Sequence, residues 1–127
     1  MKKVFASTLV ALLTLTGCSS SNSAIQTVDA QTWIKKTQEA QSQIIDVRTA
    51  QEFNSGHVAN AINIDVESGN FESKISSLDK NRTYSLYCHS GRRSNIAAGK
   101  MADAGFKSII NLNGGMVDLL GAGAQLG

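Results

Sequence analysis

The stretch Tyr87-Cys88-His89-Ser90-Gly91-Arg92-Arg93-Ser94 joins a cysteine to a glycine and two arginines within one short loop. Before it, the apolar-leaning run Tyr84 to Tyr87 reads as a strand, and after it Ser94 opens the alanine-rich helical stretch Asn95 to Ala104. This order places a thiol at the mouth of a helix. Unpaired N–H groups of the loop and first turn, together with the helix dipole, favour the thiolate there. The thiolate is the attacking form, so the chemistry on offer is nucleophilic. A lone cysteine is otherwise a small buried hydrophobe. The flanking Gly91, Arg92 and Arg93 argue against that role here.

The elements that must hold this loop can be read in order. Ile25 to Val28 is a short strand, and Asp29 caps a helix that sets Ala30, Trp33, Ile34 and Thr37 on one face. Ile44 to Val47 lacks polar alternation, as expected of a strand buried on both faces of a parallel sheet. Thr49 and Glu52 have capping-box spacing for a short helix Ala50 to Asn54, which Gly56 can close. Ala61 to Ile64 is a third strand, and Phe71, Ile75 and Leu78 have helical spacing. Tyr84 to Cys88 and Ile109 to Leu112 complete five strands. The helix between them sets Ala97, Met101 and Ala104 on one side and ends at Gly105, while Gly114-Gly115 precedes a brief apolar piece, Met116 to Leu120. Strands alternating with helices imply an α/β fold, a parallel sheet covered on both faces. In such sheets the working site lies beyond the carboxyl ends of the strands. Cys88 stands at one such end; Asp46-Val47-Arg48 and Asn63-Ile64-Asp65 stand at others.

The amino-terminal stretch is of another kind. Met1-Lys2-Lys3 is followed by the uncharged run Val4 to Thr16, too short to span a bilayer, and the two read as a signal peptide. Leu15-Thr16-Gly17-Cys18 has the form of a bacterial lipobox, whose cysteine becomes the lipidated first residue of the mature chain. Ordinary cleavage near Gly17, leaving a free thiol, is the alternative. Loss of Lys2 and Lys3 takes the formal net charge from +2 to zero, so nothing electrostatic recruits nucleic acid. With Cys18 acylated, Cys88 is the remaining thiol in an oxidising compartment and has no partner within the chain. Ser19 to Ser23 is a polar tether. The absence of an aspartate after Cys18 favours the periplasmic face of the outer membrane if the cell is Gram-negative.

Taken together, Asp46-Val47-Arg48, Glu52-Phe53, Gly56-His57-Val58, Ala61-Ile62-Asn63-Ile64, Tyr87-Cys88 with Ser90-Gly91 and Arg93-Ser94, Gly105-Phe106, and Asn111-Leu112 with Gly114-Gly115-Met116 resemble the rhodanese family of sulfurtransferases. The resemblance runs from about Ile25 to Leu120. It implies a three-layer α/β/α fold with a five-stranded parallel sheet; taken with the amino-terminal reading above, the chain divides into a signal peptide (1–17), a lipidated cysteine with its tether (18–23) and a rhodanese-like domain (24–127). Carried onto this chain, the family's chemistry has Cys88 take sulfane sulfur from thiosulfate or a persulfide and pass it to a thiol or cyanide, with no cofactor. His89, Ser90, Gly91, Arg92, Arg93 and Ser94 form the candidate substrate-binding loop, with Arg92 and Arg93 as anion clamps. Relatives that cleave phosphate or reduce arsenate have a longer loop; here four residues separate Cys88 from Arg93, which disfavours that chemistry.

Several residues keep two readings. His89 stands where many active relatives carry arginine, as a donor, a titrating group or a solvated loop residue. Asp46 calls for a buried partner, either Arg48 or an arginine of the active loop. Arg48 is half of such a pair or a donor contact, Glu52 a helix cap or an orienter of Arg93, and His57 a backbone hydrogen-bonder or a general base. Two histidines and one remaining cysteine, widely spaced, make no metal site. The family's tryptophan after the double glycine is Leu119 here, and the early end in Gly121 to Gly127 predicts a loose carboxyl-terminal lid. The chain is read as a monomeric, membrane-tethered enzyme; the competing reading is a non-catalytic module for redox sensing or partner docking.

Overall fold

A computed structural model describes residues 22–127. The signal peptide, the lipobox with Cys18 and most of the serine-rich tether lie outside the described residues. From Asn22 onward the chain alternates strand and helix: β1 (Ile25–Val28), α1 (Ala30–Glu39), β2 (Gln43–Asp46), α2 (Ala50–Asn54), β3 (Ile62–Asn63), α3 (Phe71–Ile75), β4 (Thr83–Tyr87), α4 (Arg92–Asp103), β5 (Ser108–Leu112) and α5 (Met116–Gly121). All strand pairs are parallel, in the order β1-β5-β4-β2-β3. The strand that delivers the cysteine is therefore central, flanked by β5 and β2.

Local chemistry accounts for the boundaries. Asp29 accepts the Thr32 N–H at 2.8 Å to start α1, and Thr49 with Glu52 forms the reciprocal capping box that starts α2. Pleating divides the core in two. Tyr84, Leu86 and Cys88 face α3 and α4, packing with Phe71, Ile75, Ala97 and Met101. Tyr87, Ile110 and Leu112 face α1 and α5, packing with Trp33 and Leu119. The Trp33 indole N–H donates to the Leu86 carbonyl at 3.1 Å and its ring meets Tyr87 edge to face, which locks α1 onto β4.

Two features depart from expectation. The helix after the loop begins at Arg92, not at Ser94, because Gly91 takes a left-handed φ of 101° and turns the chain directly into the helix. Ser94 thus sits inside the first turn, where its hydroxyl donates to the Gly91 carbonyl at 3.1 Å. The carboxyl-terminal segment is pinned rather than loose: Ala59 N–H donates to the Gln125 carbonyl, Gly127 N–H donates to the His57 carbonyl, and Leu126 bridges Val58. Leu119, in place of the expected tryptophan, is fully buried against Trp33 and its neighbours.

Candidate active site

Cys88 follows β4 directly and is 0% exposed. Its side chain shares the α4-side core, yet the sulfur is not left to apolar packing: the Gly91 N–H donates to Sγ at 3.0 Å. Burial pushes the thiol's pKa up. The backbone donors of Ser94, Gly91 and Ser90 and the Ser94 hydroxyl outweigh that effect, so the thiol lies below its ordinary value. The Ser94 hydroxyl has two acceptors in reach, the Gly91 carbonyl and the sulfur.

The loop is held from behind by the turn after β5. Met116 N–H donates to the Cys88 carbonyl at 3.0 Å. A Cβ on Gly115 would overlap the His89 carbonyl oxygen, and one on Gly91 would lie 3.1 Å from the Gly114 oxygen. Gly115 is thus required by close approach rather than by its backbone angles, since its φ of -131° suits any residue. Asp118 accepts the Gly115 N–H at 2.8 Å and fixes the turn.

The two arginines have different duties. Arg93 sits over Glu52 in a bidentate pair, Nη1 to Oε1 at 2.6 Å and Nη2 to Oε2 at 2.9 Å. The Arg93 bonds, with further bonds from Thr49, hold the Glu52 carboxyl down to about 2. Arg93 therefore does not turn both edges of its guanidinium toward the loop mouth, as a clamp would need; it ties α4 to α2 beside the sulfur. Arg92 is exposed and forms no ion pair among the described residues. His89 and Ser90 are likewise exposed at the rim.

A second, buried network braces the strand ends behind the loop. Arg48 pairs with Asp46, Nη2 to Oδ2 at 2.7 Å and Nε to Oδ1 at 3.0 Å, and both residues are almost wholly buried. Arg48 also donates to the Gly56 carbonyl at 2.7 Å. The Tyr87 hydroxyl donates to Asp46 Oδ2 at 2.6 Å and accepts the Val58 N–H at 3.0 Å. Burial, reinforced by the Asp46 bond, raises the Tyr87 hydroxyl well above the usual phenol range and keeps it protonated. Arg48 thus points into the scaffold and away from the loop. Asn63 donates to the carbonyls of Asp46 and Arg48 at 3.1 Å and 2.8 Å. His57 Nδ1 donates to the Phe53 carbonyl at 3.1 Å, with its ring stacked on Phe53.

Tyr87 and Gly115 are the contributors that the sequence presents only as a sheet residue and a strand breaker. The one signal within reach was adjacency: Tyr87 precedes the nucleophile in a strand, so its side chain must point to the opposite layer. Among the described residues no three potential ligands come together as a metal site.

The rhodanese-like domain model matches residues 30–122, taking in every element from α1 to α5. The chain belongs to the rhodanese-like family. It is 34% identical over 104 residues to YrkF of Bacillus subtilis, covering 81% of this chain and 55% of that protein, so the chain spans little more than half of that relative's length. The thiosulfate sulfurtransferase GlpE of Shewanella oneidensis is 32% identical over 82 residues, 65% of this chain and 79% of its own. The thiosulfate sulfurtransferase PspE of Escherichia coli is 33% identical over 75 residues, 59% and 71% of the two chains. Among solved structures, a rhodanese-like domain protein from Staphylococcus aureus aligns with a TM-score of 0.66 at 27% identity, covering 79% of this chain and 96% of that one. The rhodanese-related protein of Thermoplasma volcanium, at 24% identity and a TM-score of 0.69, covers 80% of this chain and 97% of its own and has the same fold.

Proposed function

We propose that this rhodanese-like protein is a monomeric, membrane-tethered sulfurtransferase that carries sulfane sulfur on Cys88. The Cys88 thiolate attacks the outer sulfur of thiosulfate or of a persulfide; a new S–S bond forms and sulfite or a thiolate leaves with the electron pair of the old one. The acceptor, a thiolate or cyanide, then attacks the outer sulfur of the Cys88 persulfide, takes it as a persulfide or thiocyanate, and returns Cys88 to the thiolate. The observation that carries this reading is the Gly91 N–H at 3.0 Å from Sγ within a loop whose donors lower the thiol's pKa. The same donors would hold the anionic persulfide. Arg92, exposed and outside any ion pair among the described residues, is the group free to meet an anionic donor. Two relatives named thiosulfate sulfurtransferases support the reaction class. Tethering rests on the lipobox at Cys18 and, with it, the placement in an exported compartment. Mass spectrometry of the purified chain after thiosulfate treatment should find one added sulfur atom on Cys88; a folded protein that gains none refutes the reaction.

One observation favours a second reading, a partner-docking module without turnover: Cys88 is 0% exposed. Thiosulfate:cyanide turnover separates the two. If Cys88→Ser restores a deletion strain in full, the module is correct.

A further inference from the structure

We propose that the pole of the domain bearing Lys80, Arg82 and Lys107 rests on an anionic lipid surface and turns Cys88 toward the aqueous side. The inference rests on the tethering half of the proposed function and goes beyond it by assigning a face and an orientation.

In a parallel sheet every strand starts at one pole and ends at the other, so the entry of the chain and its reactive loop lie at opposite ends. The Ile109 N–H donates to the Ala24 carbonyl at 2.8 Å, which fixes the entering chain beside the start of β5. Lys107 N–H donates to the Lys80 carbonyl at 3.2 Å, and Thr83 is in register with Ser108, so Lys80, Arg82 and Lys107 stand side by side next to that entry point. The Lys80 stem also lies along the turn at Gly105. All three basic side chains are exposed and form no ion pair among the described residues. Asp79, Asp103 and Glu39 share the pole; Glu39 lies 4.0 Å from Lys35 and, with the half-buried Lys36, borders Thr83 and Ser108. Asp79 is turned into its own loop, accepting the Asn81 N–H at 2.9 Å, and Asp103 ends α4.

Cys88 follows the 5 residues of β4, roughly 16 Å from this pole. Around it the balance of charge is reversed: Asp29, Asp65, Glu67 and Asp118 stand beyond the strand ends, against Arg92 as the arginine outside an ion pair among the described residues. An anionic surface therefore attracts the entry pole and repels the reactive one. Three residues separate Cys18 from Asn22, a span of at most about 14 Å when extended, so a lipidated Cys18 holds the entry pole within reach of the headgroups. The donor and acceptor on this arrangement are water-soluble molecules that reach Cys88 from the side away from the bilayer.

The test uses the full chain, purified in detergent and incorporated into vesicles of phosphatidylcholine alone or of phosphatidylcholine with phosphatidylglycerol. Amine acetylation is read residue by residue, with Lys35, midway along α1, as the internal reference. Lys80 and Lys107 should react several-fold more slowly on the phosphatidylglycerol vesicles, recover at high salt, and lose protection in an Arg82→Glu variant, while Lys35 is unchanged. Co-sedimentation with phosphatidylcholine vesicles reads the anchor by itself. A chain that sediments with both vesicles but shows no selective protection keeps the anchor and overturns the orientation. Protection on phosphatidylglycerol without sedimentation on phosphatidylcholine keeps the face and removes the anchor. Binding to neither overturns both.

Discussion

The Glu52 carboxylate and the Arg93 guanidinium meet edge to edge, at 2.6 Å and 2.9 Å, across a sequence separation of 41 residues. This pair fastens the helix that follows the nucleophile to the helix that follows β2, and it holds a positive charge beside the sulfur.

Glu52→Gln should loosen both. The carboxyl stands at about 2 in the folded chain against an ordinary 4.5. A lowered value means stability that is present above the ordinary value and lost as pH falls toward the folded one. The stability gap between parent and variant should thus be full at neutral pH, about 1 kcal/mol for a pair this open to solvent, and shrink between pH 4.5 and pH 2. Urea unfolding across that range measures it.

Alkylation of Cys88 by iodoacetamide should titrate with a midpoint below that of a cysteine in an unfolded peptide, because the loop donors outweigh burial. Ser94→Ala removes the hydroxyl and should move the midpoint up. Equal midpoints in parent and variant would show that the hydroxyl does not act on the sulfur.

Asp46→Ala leaves the Arg48 guanidinium buried without its carboxylate and should cost about 3–5 kcal/mol, a large part of the stability of a domain this size. Tyr87→Phe removes the hydroxyl that joins Asp46 to the Val58 N–H and should cost about 1–2 kcal/mol. Both are read as shifts in the urea midpoint at constant slope.

Arg92→Ala should raise KM for thiosulfate about tenfold, the loss of one charge-assisted bond, with the melting temperature unchanged. Arg93→Ala should instead lower the melting temperature, because it breaks the tie to Glu52. The contrast between the two variants, in steady-state kinetics and thermal melts, separates donor contact from scaffold.

Gly115→Ala sets a methyl group against the His89 carbonyl oxygen and must displace either the reactive loop or the turn behind it. A cost of about 1–3 kcal/mol is expected from overpacking of this kind. A drop in persulfide yield on Cys88 should accompany it.

What could be read from the chain alone was what depends on neighbours in sequence. The Asp29 cap, the Thr49 and Glu52 box and the unalternating Ile44 to Val47 are local or periodic signals, and each corresponds to an element boundary or a buried strand in the fold. The start of α4 was misplaced because Ser94 looks like a cap, whereas the left-handed Gly91 does the turning. Pairings across the sheet were out of reach in detail. Glu52 reads as a helix cap or an orienter of Arg93, and the fold makes it both, whereas Tyr87 reads as one more aromatic in a strand until β2 and the Val58 loop are seen around its hydroxyl. The closing of the tail on Val58 also has no periodic signature, since a glycine- and alanine-rich end offers little but backbone to bond.

The split of β4 between two layers sets different tolerances for changes in sequence and changes in length. Adding or deleting one residue between Thr83 and Cys88 would exchange the sides, sending the sulfur toward Trp33 and a phenol toward the mouth of α4. Amino-acid replacements along this strand can be absorbed by degrees. Indels there cannot, whereas the loop from Ser76 to Arg82 lies outside the strand, where a change of length does not exchange the sides.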